Sequence, residues 1–257
     1  MIINEQNINS LISLAEEAGK IIMHYYRSDF EIIVKSDNSP ATTADLKANE
    51  LIVRELEKIT SDIEIVSEEN LKSQIQVKNN TFWLVDPLDG TRSFINGDHN
   101  FAVSIGLVHN SEPVFGVICI PVTKLVYFTK ENRAYKKYEN GLIEEISSAY
   151  RASEGLDVVT SGSRLSQKKV DGFLTQFKVR NHYFISSAVK FCMIAEGKAN
   201  IYPCCSKTMA WDTAAGHAIL KAAGGEITVF GQNELLSYNK CNLANPHFLA
   251  SGLKLKI

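Results

Sequence analysis

The chain has 257 residues, and its 27 Lys and Arg against 29 Asp and Glu give a formal net charge of −2. A charge so nearly balanced argues against a protein that wraps nucleic acid along a basic surface. With 45% hydrophobic and 22% charged residues, the composition predicts a globular chain with a substantial core and excludes a disordered one.

The first predicted elements are two amphipathic helices joined by a strand. Apolar residues recur at helical spacing over about residues 7–26, which predicts the first helix. Glu31–Lys35 has the composition of a short strand. Thr43 is placed to cap a second helix over about residues 44–59.

Short apolar runs follow, and they predict strands. Ile63–Ser67 and Phe82–Val85 are each bounded by polar or turn-forming residues. Phe101–Val108, Val114–Ile120 and Leu125–Thr129 are separated by short turns, a spacing that predicts an antiparallel meander.

Strand and helix signals alternate in the second part of the chain. The predicted strands are Leu156–Thr160, Val179–Ile185 and Ala199–Tyr202, and the predicted helices are Gln167–Phe177, Ser187–Glu196 and Trp211–Ala223. Such alternation favours an α/β unit. The sequence therefore predicts an α/β protein, with an α+β subdomain over residues 1–150 and an α/β subdomain over residues 151–257.

The segment WLVDPLDGT (Trp83–Thr91) is the most informative motif. Asp86 and Asp89 follow a buried strand, Pro87 fixes φ between them, and Gly90 permits an unusual backbone angle. We expect a tight turn that aims both carboxylates at one point. Converging carboxylates repel each other unless a cation neutralises them, and oxygen ligands favour Mg²⁺ or Mn²⁺. A locally capped turn is the alternative for a lone pair of this spacing.

Four further acidic residues are candidates for the same site. Glu68–Glu69 directly follows a predicted strand, Asp45 lies in the first turn of a helix, and Asp212 lies near the start of another. Taken alone, the glutamate pair is better explained as a solvated surface pair, and each aspartate as a helix cap or first-turn acid.

Four segments, in this order, resemble the lithium-sensitive, magnesium-dependent phosphatases of the inositol monophosphatase superfamily. They are SPATTAD (Ser39–Asp45), IVSEE (Ile65–Glu69), WLVDPLDGT and WDTAAGHAIL (Trp211–Leu220). The resemblance implies an αβαβα layered sandwich. It also implies two or three Mg²⁺ ions as cofactor, with Mn²⁺ as a substitute and Li⁺ as an inhibitor.

The same resemblance implies a role for each matching residue. The implied metal ligands are Glu68, Asp86, the carbonyl of Leu88, Asp89 and Asp212. Asp45 and Thr91 are the implied pair that activates the attacking water, and Glu69 positions ligands or water beside them. The amides of Gly90 and Thr91 would hold the phosphate. The phosphoryl group would then pass directly to water, without a phosphoenzyme.

Within the superfamily, the second half resembles the CysQ-type 3′(2′),5′-bisphosphate nucleotidases. The segments TSGSR (Thr160–Arg164) and SSAVKFC (Ser186–Cys192) carry this resemblance. It implies substrate binding by Ser161, Gly162, Ser163, Arg164, Ser187 and Lys190. A bisphosphate needs an extra cation for the phosphate that does not react, which is the role implied for Lys190. The alternative is an ordinary solvated helix lysine.

The activity implied is removal of the 3′-phosphate of adenosine 3′,5′-bisphosphate, giving AMP and phosphate. An inositol-1-monophosphatase or other sugar-phosphate phosphatase is one alternative, and an inactive metal- or nucleotide-binding relative is another. The chain departs from the usual nucleotidase pattern at Ser166, Ser186, Ala188 and Cys204, with Lys207 as a candidate replacement for the arginine usual at the Cys204 position. No nucleic-acid partner is expected, and the oligomeric state is left open.

The sequence also predicts a cytoplasmic location. No run of about 20 apolar residues is present, and the start, MIINEQNINS, lacks the basic and apolar regions of a signal peptide. Five cysteines, an odd number without zinc-type spacing, fit buried thiols in a reducing compartment. Peripheral association with a membrane is left open.

Overall fold

Two large β-sheets, three layers of helices and a small two-stranded hairpin make up the described part of the fold. The computed structural model describes residues 3–35, 38–70, 77–148, 154–161, 164–238 and 243–252, without the side chains of residues 164–167. Gly162, Ser163 and the side chains of Arg164 and Ser166 therefore lie outside what is described. Cys241 also lies outside it.

The larger sheet has seven strands, which follow one another in chain order. They are β3 (Glu64–Ser67), β4 (Thr81–Asp89), β5 (Ala102–His109), β6 (Glu112–Ile120), β7 (Leu125–Lys130), β8 (Arg133–Lys137) and β9 (Ile143–Ile146). Only the β3–β4 pair is parallel, and the other pairs are antiparallel. The predicted meander is confirmed. Its last two strands were not predicted, because β8 and β9 are short and rich in charged residues, and β9 is largely exposed.

Two helices cover one face of this sheet. They are α1 (Glu5–Tyr25) and α2 (Thr43–Ile59), and their apolar faces pack on strand residues that include Trp83 and Val85. A small hairpin of β1 (Ile32–Val34) and β2 (Pro40–Thr42) joins them. The predicted cap was wrong by one residue: Thr42 precedes α2, and its N–H donates to Asp45 at 2.7 Å.

The smaller sheet has five strands in the order β11-β10-β12-β14-β13. They are β10 (Leu156–Thr160), β11 (Val179–Phe184), β12 (Ile201–Cys204), β13 (Glu226–Val229) and β14 (Phe248–Ser251). β10 pairs in parallel with both β11 and β12, whereas β14 is antiparallel to its two neighbours. β13 and β14 were not predicted.

The middle layer lies between the two sheets and consists of α5 (Val189–Ala195) and α6 (Ala214–Ala222). The backbone of α6 comes very close to the larger sheet: a Cβ on Gly106 or Gly116 would lie 2.7 or 2.3 Å from backbone atoms of Ala215. Helix α4 (Arg164–Leu174) covers the outer face of the smaller sheet. The layers thus run αβαβα, as the resemblance implied.

Two remaining short elements lead into the site. Helix α3 (Thr91–Ile95) follows β4, and a 3₁₀ turn (Ala210–Asp212) precedes α6. The helix predicted over Trp211–Ala223 is therefore a turn followed by a shorter helix. Within the described residues, no helix is both long and apolar enough to cross a membrane. The division into subdomains at residue 150 stays a prediction.

Candidate functional site

A β-bulge brings Asp86 and Asp89 to the same face of the larger sheet. Asp86 pairs with Ser104 of β5, and Asp89 pairs with Ala102, so three steps along β4 match two along β5. Side chains alternate between the faces of a strand, so without the extra residue the two carboxylates would point to opposite faces. The turn expected at this motif is instead a bulge inside a continuing strand.

Three carboxylates meet beside this bulge. Glu68, Asp86 and Asp212 each offer an oxygen within 4.8 Å of the others. Glu68 follows β3, where its N–H donates to the carbonyl of Val85 at 3.0 Å. Asp212 is held in its turn by the N–H of Met209 at 2.8 Å. Strand ends and a helix entry, far apart in sequence, thus converge on one point.

The electrostatics of the cluster call for a cation. Burial, and then the charges of Glu68 and Asp89, hold the pKa of Asp86 well above its ordinary value. Burial and the charge of Asp89 do the same for Asp212. Burial raises the pKa of Asp89 to about 6, although the charge of Lys190 opposes this. Oxygen donors that repel one another in this way suit a hard divalent ion such as Mg²⁺.

Asp45 and Thr91 form a hydrogen-bonded pair next to the carboxylates. The Thr91 hydroxyl lies 3.1 Å from Asp45 Oδ1 and 3.2 Å from the carbonyl oxygen of Leu88. The other carboxylate oxygen of Asp45 accepts hydrogen bonds from the N–H and the hydroxyl of Thr42, at 2.7 and 2.5 Å. Burial raises the pKa of Asp45, and these hydrogen bonds oppose the rise.

Gly90 separates the bulge from α3 and is required by its geometry. Its φ of +95° is in the left-handed region, and a Cβ there would lie 2.8 Å from the carbonyl oxygen of Asn100. A side chain would therefore be strained twice, by the backbone angle and by the clash. Helix α3 begins at the next residue, Thr91, beside the carboxylates.

Lys35 is a residue of the site that sequence reasoning missed. Its ammonium donates to Glu68 at 2.8 Å and to Glu69 at 2.7 Å. Burial raises the pKa of Glu69 to about 7, and Lys35 opposes that rise. Burial lowers the pKa of Lys35, but the two glutamates outweigh it and hold the pKa above its usual range. No local signal marks this lysine, because its partners lie more than thirty residues away.

A cleft of about 350 Å³ opens beside Asp89 and Asp212. Of the predicted substrate-binding residues, Ser161, Ser187 and Lys190 line it, together with Arg92 and Lys207. Three cationic side chains thus line the cleft together with the carboxylates of Asp89 and Asp212. Arg92 was not predicted as a site residue, although it directly follows the DPLDGT motif.

Lys190 is buried in the wall of this cleft, with 5% of its surface exposed. Its ammonium donates to the carbonyl of Ser187 at 2.6 Å and lies 5.0 Å from the ring centre of Tyr202. Burial lowers its pKa, whereas the charge of Asp89 raises it. The Ala188 N–H at the start of α5 donates to Asp89, so α5 links the lysine to the carboxylate cluster.

Cys204 is not among the residues that line the cleft, although Tyr202 of the same strand is. The thiol is buried, and the Tyr202 hydroxyl donates to its sulfur at 3.2 Å. The exposed Lys207 nearby does line the cleft, as a replacement cation would.

Asn245 is a second residue that the sequence did not reveal. Its side-chain amide lies 2.6 Å from the carbonyl oxygen of Met209, 3.1 Å from the Thr213 hydroxyl and 3.2 Å from the Thr208 hydroxyl. Its own N–H donates to the Thr208 carbonyl at 2.9 Å. These bonds clamp both ends of the segment that carries Asp212.

Comparison with known proteins agrees with this geometry. A family model described as the inositol monophosphatase family matches residues 4–254. The 3′(2′),5′-bisphosphate nucleotidase CysQ of Salmonella typhimurium is 37% identical over 245 residues, which are 94% of this chain and 98% of that one. CysQ of Escherichia coli strain K12 is 35% identical over 248 residues, 95% of this chain and 99% of that one.

Solved structures give the same relationship. CysQ of Bacteroides thetaiotaomicron, described as a bacterial member of the inositol monophosphatase family, superposes with a TM-score of 0.80 at 34% identity, over 96% of this chain and 97% of that one. The inositol monophosphatase TM1415 of Thermotoga maritima superposes with a TM-score of 0.76 at 27% identity, over 96% of this chain and 92% of that one.

Proposed function

This chain belongs to the inositol monophosphatase family, and we propose that it is a 3′(2′),5′-bisphosphate nucleotidase that converts adenosine 3′,5′-bisphosphate to AMP and phosphate. The observation that carries the proposal is the acidic cluster of Glu68, Asp86 and Asp212 beside a cleft bordered by three cations. The near full-length similarity to CysQ nucleotidases supports the same choice of substrate.

We propose that Mg²⁺ is the cofactor of this metal-dependent family member. Its ligands would be the carboxylates of Glu68, Asp86, Asp89 and Asp212 and the carbonyl oxygen of Leu88. The donor set fits, since it consists of oxygens, and burial followed by repulsion between neighbouring carboxylates raises the pKa values of Asp86 and Asp212. When bound, Mg²⁺ supplies Lewis-acid chemistry: it offsets charge on phosphoryl oxygens and lowers the pKa of water.

Asp45 and Thr91 are proposed to handle the proton of the attacking water. The Thr91 hydroxyl donates toward Asp45, so its oxygen keeps lone pairs that can accept a hydrogen bond from water. Water held in this way can pass a proton to Thr91 as the Thr91 proton moves to Asp45. The raised pKa of buried Asp45 favours its acceptance of that proton.

Glu69 is proposed to support this arrangement without meeting the substrate. It shares Lys35 with Glu68, so it fixes the position of the ammonium next to a proposed ligand. The Glu69 N–H in turn lies 3.3 Å from the Ser67 hydroxyl oxygen, which holds the end of β3 in place.

The substrate's phosphates are proposed to bind at two places. The amides of Gly90 and Thr91 would receive the phosphate that reacts. Lys190, with Lys207 and Arg92, would face the phosphate that does not. Ser161, Ser187 and the loop residues Gly162, Ser163 and Arg164 are proposed to contact the nucleoside. Two separate phosphate sites would favour a bisphosphate over a monoester.

A phosphate-release assay tests the proposal. We expect Mg²⁺-dependent turnover of adenosine 3′,5′-bisphosphate, inhibited by Li⁺, with a kcat/KM well above that for inositol 1-phosphate. A preference for inositol 1-phosphate would replace the nucleotidase with a sugar-phosphate phosphatase. Failure to release phosphate from either substrate would point to an inactive relative.

A further inference from the structure

An exposed aromatic pair lies at the end of β11, close in sequence to residues that line the cleft. Phe184, the last residue of β11, is 58% exposed. The imidazole of His182 stacks beside it, with ring centres 4.5 Å apart and planes 29° apart. The Thr160 hydroxyl lies 2.9 Å from His182 Nε2 and fixes the imidazole. The pair is therefore a preformed flat surface open to solvent.

The strand register places this pair next to the cleft. Phe184 pairs with Thr160, the last residue of β10. Ser161, which follows Thr160, lines the cleft. Ser186, two residues after Phe184, also lines it. His182 and Phe184 share the face of the smaller sheet on which α4 packs, because their partners Val158 and Thr160 lie on that face.

The pair is also within reach of the acidic cluster. Ala188, whose N–H donates to Asp89, is four residues after Phe184, so the two Cα atoms are at most about 14 Å apart. That upper limit is comparable with the length of a mononucleotide. A nucleotide whose reacting phosphate lies at the carboxylates is thus long enough to bring its base to Phe184.

We propose that Phe184, supported by His182, is a stacking platform for the base of a nucleotide substrate. This inference rests on the proposed nucleotidase function and adds the means by which the base is bound. Base–aromatic stacking tolerates different bases, because every base presents a π-face. The platform would therefore add affinity for nucleotides in general, while the cations select for phosphates.

An edge strand offers one competing explanation for an exposed phenylalanine. β11 is an edge strand of its sheet, and such strands can pair with a second copy of a chain. The stacked His182 and the nearby cleft favour a small planar ligand over a second copy. The oligomeric state of the variants decides between the two.

The test compares two substrates that differ only at the base. One is adenosine 3′,5′-bisphosphate, and the other is 1-deoxyribose 3,5-bisphosphate, which keeps the sugar and both phosphates. We expect Phe184→Ala to lower kcat/KM for the nucleotide about fivefold to a hundredfold more than for the base-free compound, mainly through KM. Phe184→Trp should retain the preference, and the nucleotide should quench the added tryptophan fluorescence.

Tyr183→Ala is the matched control, because Tyr183 is the exposed neighbour on the opposite face of the same strand. We expect it to leave the ratio of the two kcat/KM values unchanged. An equal loss on both substrates in Phe184→Ala, or a change of its sedimentation coefficient to that of a smaller species, would overturn the platform. If the wild-type protein prefers the nucleotide and Phe184→Ala keeps that preference, the platform alone fails. If the wild-type protein prefers the base-free compound, the nucleotidase function fails with it.

Discussion

The ammonium of Lys35 lies 2.8 Å from a carboxylate oxygen of Glu68, a proposed metal ligand. The same ammonium lies 2.7 Å from Glu69, and the Lys35 side chain is only 17% exposed. A positive charge thus already neutralises part of the site on the side of the β1–β2 hairpin. A divalent ion that binds Glu68 must compete with this lysine.

We therefore expect Lys35→Met to tighten Mg²⁺ binding, because it removes the competing charge. A gain of about tenfold is expected for one partly buried charge pair. Isothermal titration calorimetry and the Mg²⁺ concentration for half-maximal activity both measure it. Lys58→Met is the control, since it removes a surface pair with Glu55 and should change neither value. Weaker Mg²⁺ binding in Lys35→Met would contradict the competition.

Asp89→Asn is expected to abolish turnover while the fold persists. Loss of one ligand charge should lower kcat/KM roughly a thousandfold or more. The metal-free variant should be about as stable as the wild type, because removal of a buried charge offsets the loss of its attraction to Lys190, and an asparagine oxygen can still accept from the Ala188 N–H. Thermal unfolding measures the stability of the metal-free variant and its response to Mg²⁺. The ion should raise the Tm of the wild type but not that of Asp89→Asn. A wild-type rate at saturating Mg²⁺ would refute the assignment of Asp89.

The stability of the metal-free protein should fall as pH rises from 5 to 8. Burial raises the pKa of Asp89 to about 6 and that of Glu69 to about 7. The folded state therefore binds these protons more tightly than the unfolded state, whose carboxyl pKa values are near 4. The stabilising contribution of these bound protons is complete below the pKa values of the unfolded state. It is lost as the pH rises past the pKa values of the folded state.

Mg²⁺ should reverse this trend, because it replaces the protons with a better counter-charge. We expect the Tm difference between the Mg²⁺-bound and the metal-free protein to grow steadily between pH 5 and 8 in calorimetric scans. Asp157 does not contribute to this trend, because Arg180 lowers its pKa. Its effect on stability therefore appears below pH 5. A metal-free Tm that rises across the range would show that the cluster does not retain its protons.

Thr91→Ala should lower kcat about a hundredfold to ten-thousandfold, the range for loss of a group that transfers a proton. Thr91→Ser keeps the hydroxyl and should restore most of the rate. Steady-state kinetics at saturating Mg²⁺ give the measurement. Thr123→Ala is a matched control, since the Thr123 hydroxyl also bonds the carbonyl three residues before it but lies away from the carboxylates. Equal rates for Thr91→Ala and the wild type would remove Thr91 from the mechanism.

The sequence allowed prediction of those features whose signal is local. The meander follows from the spacing of apolar runs, whereas the αβαβα layers and the gathering of Glu68, Asp86 and Asp212 were implied by the resemblance of four motifs to the superfamily. The bulge could not be predicted, because Pro87 and Gly90 are typical of turns as well as of bulges. Only the pairing of β4 with β5 distinguishes a bulge from a turn. Lys35 was also missed, since its partners are distant in sequence and a lone lysine is usually solvated.

Asn245→Ala should weaken Mg²⁺ binding about tenfold to a hundredfold, the usual cost of losing a group that holds a metal ligand in place. The Asn245 amide fixes Met209 and Thr213 on either side of Asp212, so its loss lets that carboxylate move away from Glu68 and Asp86. Stability should fall by only about 1–2 kcal/mol, which calorimetry separates from the change in metal affinity. Asn181→Ala is the control. It removes a hydrogen bond from the Asn181 side-chain amide to Asp157, outside the cluster, so it should affect stability alone. If both variants lose stability equally and neither loses Mg²⁺ affinity, Asn245 supports the fold but does not position Asp212.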